Sequence, residues 1–312
     1  MSVAVLIVNF RGYDDLARCL DSLGPELRPG DEVVVVDHES DERRLAAALA
    51  GRPSIVAVPR ADNPGFAAGV NTAARHTRAP LLWLLNPDTT IEGPGPVLSV
   101  LEDWLLTHDG TWVVGPRVLN ADGSTQPSAR GFPGPSTLLG GRSTWLTRRR
   151  PNNWWTRRNL LGLDTTHALD VDWIAGACLM TRRDRFEQLG GLDESFFLYW
   201  EDADYCRRVG RAGGRCTYLP RVSVRHRAGG SAQYDLPRAI RAFHESAFRL
   251  YWKHSSPAGR LLSPLVRAGL HLRCAIRLRT EGRDARSLTA ASAPGHGHEP
   301  APSAADGSAP KI

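Results

Sequence analysis

Lysine is almost missing from this chain: of its 39 basic residues only Lys253 and Lys311 are lysines. An arginine bias of this size reflects a GC-rich coding sequence, so single arginines say little about chemistry. Cysteine is scarce and scattered. Cys19, Cys178, Cys206, Cys216 and Cys274 are an odd number with no C-x-x-C pair, which argues against a disulfide framework and a zinc site and leaves them as small core hydrophobes. Long apolar runs are missing too. Val3 to Val8 and Leu81 to Leu85 fall far short of the roughly 20 residues of a membrane-spanning helix. There is no G-x-G-x-x-G loop of dinucleotide spacing and no GKS or GKT phosphate loop, which disfavours nicotinamide and P-loop enzymes. No charged leader or apolar signal segment precedes the first strand pattern, so the expectation is a cytoplasmic protein. No internal repeat is found.

What is present is an ordinary enzyme composition, with 312 residues, 42% of them hydrophobic and 23% charged. The first hundred residues alternate between strand and helix patterns. VAVLIVNF (Val3 to Phe10), EVVVVD (Glu32 to Asp37), SIVAV (Ser54 to Val58) and LLWLL (Leu81 to Leu85) read as strands. Helical segments follow: one with Leu16, Leu20 and Leu23 on a face, one capped by Ser40-Asp41, and one over Phe66 to Thr77. This alternation predicts an α/β protein with a parallel sheet covered by helices on both sides. Ligands of such sheets bind beyond the carboxyl ends of the strands. Those ends carry Asn9, Asp37, Asn63 and Asn86-Pro87-Asp88, four polar positions that converge on one edge.

Five constellations carry chemistry. NPGFAAGVN (Asn63 to Asn71) is a turn before a helix whose small early residues allow close backbone approach and whose free N–H groups favour an anion; the alternative is a tight turn with glycine packing. LNPDTTI sets Asp88 on a proline-stiffened turn past a strand, suited to a hard divalent cation whose other ligands are substrate oxygens and water. WEDADYCRR crowds Glu201, Asp202 and Asp204 behind the aromatic stretch Phe196 to Trp200. Like charges beside apolar surface raise a carboxyl pKa, as a general base requires. Asp204 can pair with Arg208 at i,i+4, which leaves Asp202 to work. VRHRAGGS ends a short strand in His226, a structural histidine unless it shares a cavity with Asp88, where it would ligate a metal or bond a phosphate. DWIAGACLM reads as core packing, with Trp173 and Gly176 able instead to form a flat surface for a sugar ring.

Taken in order, VNF, VVVDHESDE, NPGFAAGVN, LNPDT and WEDADYCRR, with DWIAGACLM and VRHRAGGS around them, resemble the family 2 glycosyltransferases of the GT-A fold. GPRVLNADGSTQPSAR (Gly115 to Arg130) and Gly190 to Pro220 are similar to bacterial rhamnosyltransferases that act on polyprenyl-diphosphate-linked N-acetylglucosamine. The resemblance covers about residues 3 to 255. It implies a Rossmann-like nucleotide-binding half with a mixed, mostly parallel sheet, C-terminal helices, and inverting transfer of a sugar, L-rhamnose from dTDP-rhamnose, to a lipid-linked saccharide in cell-wall or polysaccharide assembly. It also implies roles by position. Asn9, Asp37, Asn63, Gly65 and Asn86 would bind the donor. Asp88 and His226 would sit at Mg2+ or Mn2+, Asp202 would be the catalytic base, and Trp173, Gly176 and Glu201 would face the acceptor. Asn86 departs from the strict D-x-D element, removing one anionic ligand. The rivals are a sugar-phosphate nucleotidyltransferase and a non-catalytic nucleotide-sugar-binding protein.

Charge is segregated along the chain. Residues 142 to 158 hold six arginines and no acid, and residues 257 to 286 hold seven arginines against Glu281 and Asp284, so the remainder is acidic although the whole carries +6. Leu261, Leu265, Ala268, Leu272 and Ile276 fall at helical spacing among Arg260, Arg267, Arg273 and Arg277. Such a helix either lies on an anionic membrane surface, on the inner face of the plasma membrane, or packs on the domain with a solvated basic side. No motif supports a nucleic-acid partner. The expected division is a catalytic domain over 1–255, a basic amphipathic segment over 256–286 and a disordered tail over 287–312.

Overall fold

The computed structural model describes residues 1–132 apart from 53, 93 and 94, then residue 149, residues 165–227 and residues 232–291, the side chains of 232 and 282–291 excepted. The basic segment at 142–158, residue 149 apart, and the last 21 residues of the expected tail, 292–312, lie outside the described residues.

Four strands build the first half of the sheet: β1 (Val3–Phe10), β2 (Glu32–His38), β3 (Ile55–Arg60) and β4 (Leu81–Leu85). They lie side by side, all parallel, in the order β3-β2-β1-β4. Helices α1 (Tyr13–Leu23), α2 (Glu42–Ala48) and α3 (Phe66–Arg75) connect them. The side-chain alternation of a strand explains the two cores. Val3, Val5 and Ile7 face α1, while Ala4, Leu6 and Val8 face α3, and each set is buried. β3 runs two residues past the expected end, through Pro59, and its Val56 is exposed. It is the edge of the sheet, where a missing N–H breaks no ladder.

Beyond β4 the sheet becomes mixed. Next come β5 (Thr89–Thr90), α4 (Val97–Thr107), β6 (Thr111–Leu119), β7 (Thr125–Gln126), β8 (Ala129–Arg130), β9 (Leu169–Val171), β10 (Trp173–Ile174) and β11 (Cys178–Arg182). β11 runs antiparallel between β4 and β6. After α5 (Arg183–Gln188) and α6 (Glu201–Arg211) comes β12, which is not the short strand expected. It extends over 12 residues, Arg215–His226, with a register shift between Leu219 and Ser223 where Pro220 falls. That length lets it pair with β6 from Arg215 to Arg225 and, at its end, with β5 as well, setting His226 opposite Thr89. The expected mixed, mostly parallel sheet is therefore observed, and Cys19, Cys178, Cys206 and Cys216 are buried free thiols.

The C-terminal part is helical: α7 (Leu236–His254), α8 (Pro257–Leu261) and α9 (Ser263–Ala291). α9 continues past residue 286, where the tail was expected to begin. Asp235 caps α7 by accepting the Arg238 N–H at 3.1 Å. One buried carboxylate ties this helix to α6. Asp204, fully buried, accepts from Arg208 at 2.8 Å and from Lys253 and His254 at 2.7 Å each. The i,i+4 pair read from the sequence is present, enlarged by two residues from α7. Replacing one side of such a cluster strands the others, so Asp204→Asn is expected to cost about 3 kcal/mol in urea unfolding.

Candidate active site

β1 and β4 are neighbours, yet the chain leaves β1 toward one edge of the sheet, through β2, and leaves β4 toward the opposite edge, through β5, so a crevice opens beyond their carboxyl ends. A cleft of about 860 Å³, counted out to its open mouth, lies there. Its wall carries Phe10, His38, Asn63 and Gly65 at one end and Asn86, Asp88 and His226 at the other, with Phe66, Phe197 and Tyr199 between. Arg238, from α7, supplies a cation to the lining. It stacks over the Phe197 ring at 4.3 Å and reaches Glu39 at 3.7 Å. His38 is kept neutral, because burial and the nearby Arg60 push its pKa down to about 4.

Asn9 and Asp37 lie behind this lining. Both are fully buried, and Asp37 accepts from Asn9 Nδ2 at 2.7 Å, Tyr13 Oη at 3.0 Å and Ser40 Oγ at 2.6 Å. They form the floor of the crevice, and the ring of donors leaves the Asp37 carboxylate well satisfied. The expected anion site at the start of α3 is altered as well. The Phe66 N–H donates to the Phe197 carbonyl at 2.8 Å, and the Gly65 N–H donates to Asn63 Oδ1 at 3.1 Å. Neither is available to a phosphate. Gly65 has φ of 106°, and a Cβ there would overlap the Phe197 carbonyl, so its part is the close approach of two backbones.

At the other end, β12 delivers His226 to Asp88. Nε2 lies 3.1 Å from Asp88 Oδ1, and both residues are about nine-tenths buried. The Arg227 N–H locks the turn by donating to the Asp88 carbonyl at 3.0 Å. Nδ1 of His226 lies 2.9 Å from Gln126 Oε1. With that nitrogen protonated, the lone pair of Nε2 faces a carboxylate oxygen. Two acceptors at 3.1 Å repel unless a proton or a metal ion lies between them. Among the described residues no group of three or more His, Cys, Asp or Glu side chains is gathered as a metal cage. One carboxylate and one imidazole, open to the cleft, instead fit a cation that takes its remaining ligands from a substrate and water.

The carboxylates of α6 stand just beyond Phe66. Asp202 Oδ2 accepts the Gly176 N–H at 2.8 Å and Oδ1 accepts the Ala203 N–H at 2.7 Å. The Cβ position of Gly176 is 3.6 Å from both Asp202 Oδ2 and the Phe66 ring, so Asp202 is one residue's thickness from the cleft lining. Glu201 is buried, with Oε2 lacking a partner. Burial pushes its pKa well above the usual carboxylate range, and the charge of Asp202 adds to the rise. Burial also raises Asp202, opposed by the two N–H groups and by Arg130. Burial thus raises both carboxyls, and only at Asp202 do N–H groups from two residues and a guanidinium oppose the rise, so Asp202 is the better stabilised anion of the pair. Burial, and then the charges of Glu201 and Asp88, raise the phenol of Tyr199 in the cleft lining. Trp173 and Trp200 pack against each other with ring centroids 6.0 Å apart, outside the residues that line the cleft.

A family model described as "Glycosyltransferase like family 2" matches residues 2–249. The chain belongs to glycosyltransferase family 2. It is 30% identical over 298 residues to the N-acetylglucosaminyl-diphospho-decaprenol L-rhamnosyltransferase of Mycobacterium tuberculosis, covering 90% of this chain and 94% of that one. It is 27% identical over 232 residues to the low-salt glycan biosynthesis hexosyltransferase Agl10 of Haloferax volcanii, covering 70% and 66%. Among solved structures, GalNAc-T7 with UDP, GalNAc and Mn2+ matches at a TM-score of 0.54 and 20% identity, over 78% of this chain and 47% of that one. The mannosyltransferase PcManGT of Pyrobaculum calidifontis, with GDP-Man and Mn2+, matches at 0.52 and 17%, over 93% and 76%. The GT-A fold expected of a family 2 glycosyltransferase is thus present.

Phe197, Tyr199, Trp200, Arg238 and Gln126 were not singled out from the sequence. Tyr199 and Trp200 adopt φ of 67° and 69°, a left-handed pair that bulky residues avoid and that no residue type announces. The Glu201 carboxyl carries a testable sign. Its pKa is higher folded than unfolded, so the stability it contributes is complete below about pH 4 and is lost as pH rises through the folded value. Glu201→Gln is expected to raise the thermal midpoint relative to wild type by more at pH 8 than at pH 5.

Proposed function

We propose that this glycosyltransferase moves L-rhamnose from dTDP-rhamnose to a hydroxyl of a polyprenyl-diphosphate-linked saccharide, with inversion at the anomeric carbon. The observation that carries the reading is the arrangement of one cleft with a cation-suited pair, Asp88 and His226, at its end and a carboxylate steadied by two N–H groups, Asp202, just past its wall. Similarity to the mycobacterial rhamnosyltransferase over nearly the full length of both chains supports the donor and acceptor classes. Family membership and the retained carboxylates speak against the nucleotidyltransferase and non-catalytic alternatives.

The nucleobase is assigned to the end lined by Phe10, neutral His38 and Asn63, beside Gly65 and above the Asn9–Asp37 floor. Base contact by Asp37 itself would require it to exchange one of its present donors. Asn86, Asp88 and His226 face the diphosphate. Asp88 and His226 would hold Mg2+ or Mn2+, whose charge offsets that developing on the departing diphosphate. Asp202 takes the proton of the acceptor hydroxyl as its oxygen bonds to the anomeric carbon and the carbon–phosphate oxygen bond breaks. One base suffices, with no second carboxylate acting as nucleophile. Protonated Glu201 donates to the acceptor, and Trp173 with Gly176 forms the acceptor-side wall.

The acceptor is a membrane lipid, and the C-terminal helices fit such a surface. No described helix is long and apolar enough to cross a membrane. The α9 stripe is unburied, however: Leu261 of α8 is 81% exposed, Leu265 73% and Leu272 64%. Half-buried Val266, Leu270, Cys274 and Leu278 occupy the opposite side, and α9 packs against α7. The apolar stripe edged with arginine is thus turned outward, as peripheral attachment to an anionic inner leaflet requires. Cosedimentation with anionic vesicles is expected to fall at least about fivefold when Leu265 and Leu272 are both changed to Glu.

Asp202→Asn is expected to lower transfer by about 10²-fold or more while leaving donor affinity within about twofold. The test is a panel of thymidine and uridine diphosphate sugars with lipid acceptor, with and without a chelator, reading the released nucleoside diphosphate. Turnover by the Asn variant near that of wild type would remove the base assignment.

A further inference from the structure

The hairpin of β6 and β7 contains a chain of hydrogen bonds whose direction is dictated at one end. Asp122 is held below the usual carboxylate range by the Ser124 hydroxyl and N–H, and an ionised carboxylate only accepts. Ser124 Oγ gives its one proton to Asp122 Oδ1 at 2.6 Å. It must therefore accept at 2.9 Å from Asn120, which presents Nδ2. That choice turns Asn120 Oδ1 toward Gln126, whose Nε2 donates to it at 3.0 Å. Gln126 Oε1 is then left facing His226 Nδ1 at 2.9 Å. The turn closing the hairpin is itself fixed by the Asn120 N–H on the Ser124 carbonyl, 2.8 Å, and by the Gly123 N–H on the Asn120 carbonyl, 3.0 Å. Gln126 sits opposite Val118 in the β6–β7 ladder, which anchors its backbone.

We propose that Gln126 is a positioning residue: through the Asp122–Ser124–Asn120 chain it imposes the Nδ1–H tautomer on His226 and aims the Nε2 lone pair at the cation position beside Asp88. A glutamine alone would not decide the tautomer, because its amide can present either atom to the imidazole. The chain removes that freedom, since reversing Gln126 would set its oxygen against Asn120 Oδ1 and its NH2 against a protonated Nδ1. The amide of Asn86, 3.4 Å from Nε2, approaches from the donor side and is compatible with a lone pair there. Outer partners such as Gln126 orient the ring and govern how well it binds a metal. The inference rests on the reading of Asp88 and His226 as a cation site.

The experiment is 15N NMR of histidine-labelled full-length protein at pH 8 with Mg2+ and thymidine diphosphate, His226 being assigned by its loss in His226→Asn. The Nδ1–H pattern is expected in wild type, a mixture of tautomers in Gln126→Leu, and the wild-type pattern again in Gln126→Glu, whose carboxylate accepts from Nδ1. Mn2+ affinity in the presence of thymidine diphosphate is expected to fall about tenfold in Gln126→Leu and to stay within about threefold of wild type in Gln126→Glu. An Nε2–H pattern in wild type, or equal behaviour of the Leu and Glu variants in both measurements, overturns the proposal. Unchanged Mn2+ affinity in Asp88→Asn would instead overturn the cation site, and the NMR pattern alone then decides the role of Gln126.

Discussion

A histidine nitrogen and a carboxylate oxygen held 3.1 Å apart, inside a cleft, form the contact on which this site turns. The contact is made by sheet pairing. β12 crosses from β6 to the two-residue β5, and the register His226 to Thr89 leaves Asp88 adjacent. Two backbone ladders thus force together groups that would not remain neighbours without positive charge between them. On the proposed reading, the arrangement suits a cation held without a closed cage of ligands. The open side of the pair is the side from which a diphosphate would supply the missing oxygens.

The opposite edge of the cleft is held by a different device. The loop from Gly191 to Trp200 is fastened to α3 at both ends. Asn71 donates to the Leu192 carbonyl at 2.8 Å and accepts its N–H at 2.9 Å, and the Phe66 N–H takes the Phe197 carbonyl. The loop then enters α6 through two residues in the left-handed region, Tyr199 and Trp200. Conformations of that kind cost about 1 to 3 kcal/mol each and persist where the surroundings overdetermine them. Here the surroundings are the Asp204 cluster, which clamps the first turn of α6 to α7, and Phe243, packed against both aromatic rings. Glu201 and Asp202 are therefore presented by a braced helix start, with burial tuning the first and two backbone N–H groups steadying the second.

Much of this was legible in the chain. The continuous apolar runs over Val3 to Val8 and Leu81 to Leu85 are buried strands, because a strand covered on both faces has no polar side to show. Asp88, Asn86, Asn63 and Gly65 were read as facing the crevice, and they line it. The i,i+4 spacing of Asp204 and Arg208 revealed their pairing and so singled out Asp202. Asn9 and Asp37 are at the predicted strand ends, yet Tyr13 and Ser40 close over the carboxylate, a contact between separate turns that spacing does not encode. At the start of α3 the sequence left an anion site and a tight glycine turn both open; the Phe197 carbonyl, from a loop about 130 residues away, accepts the first N–H, which fits the tight turn.

The amino-acid order on its own determined the alternation of buried strands and amphipathic helices, the polar strand ends and the crowding of acids ahead of α6, because each depends on residues within one or two helical turns. Only the tertiary structure decided which of those polar groups meet. The pairing of His226 with Asp88, the tautomer chain through Gln126, the clamp on Asp204 and the outward turn of the α9 stripe all join segments remote in sequence. Their geometry is set by strand register and helix packing, and these are properties of the assembled sheet and cores.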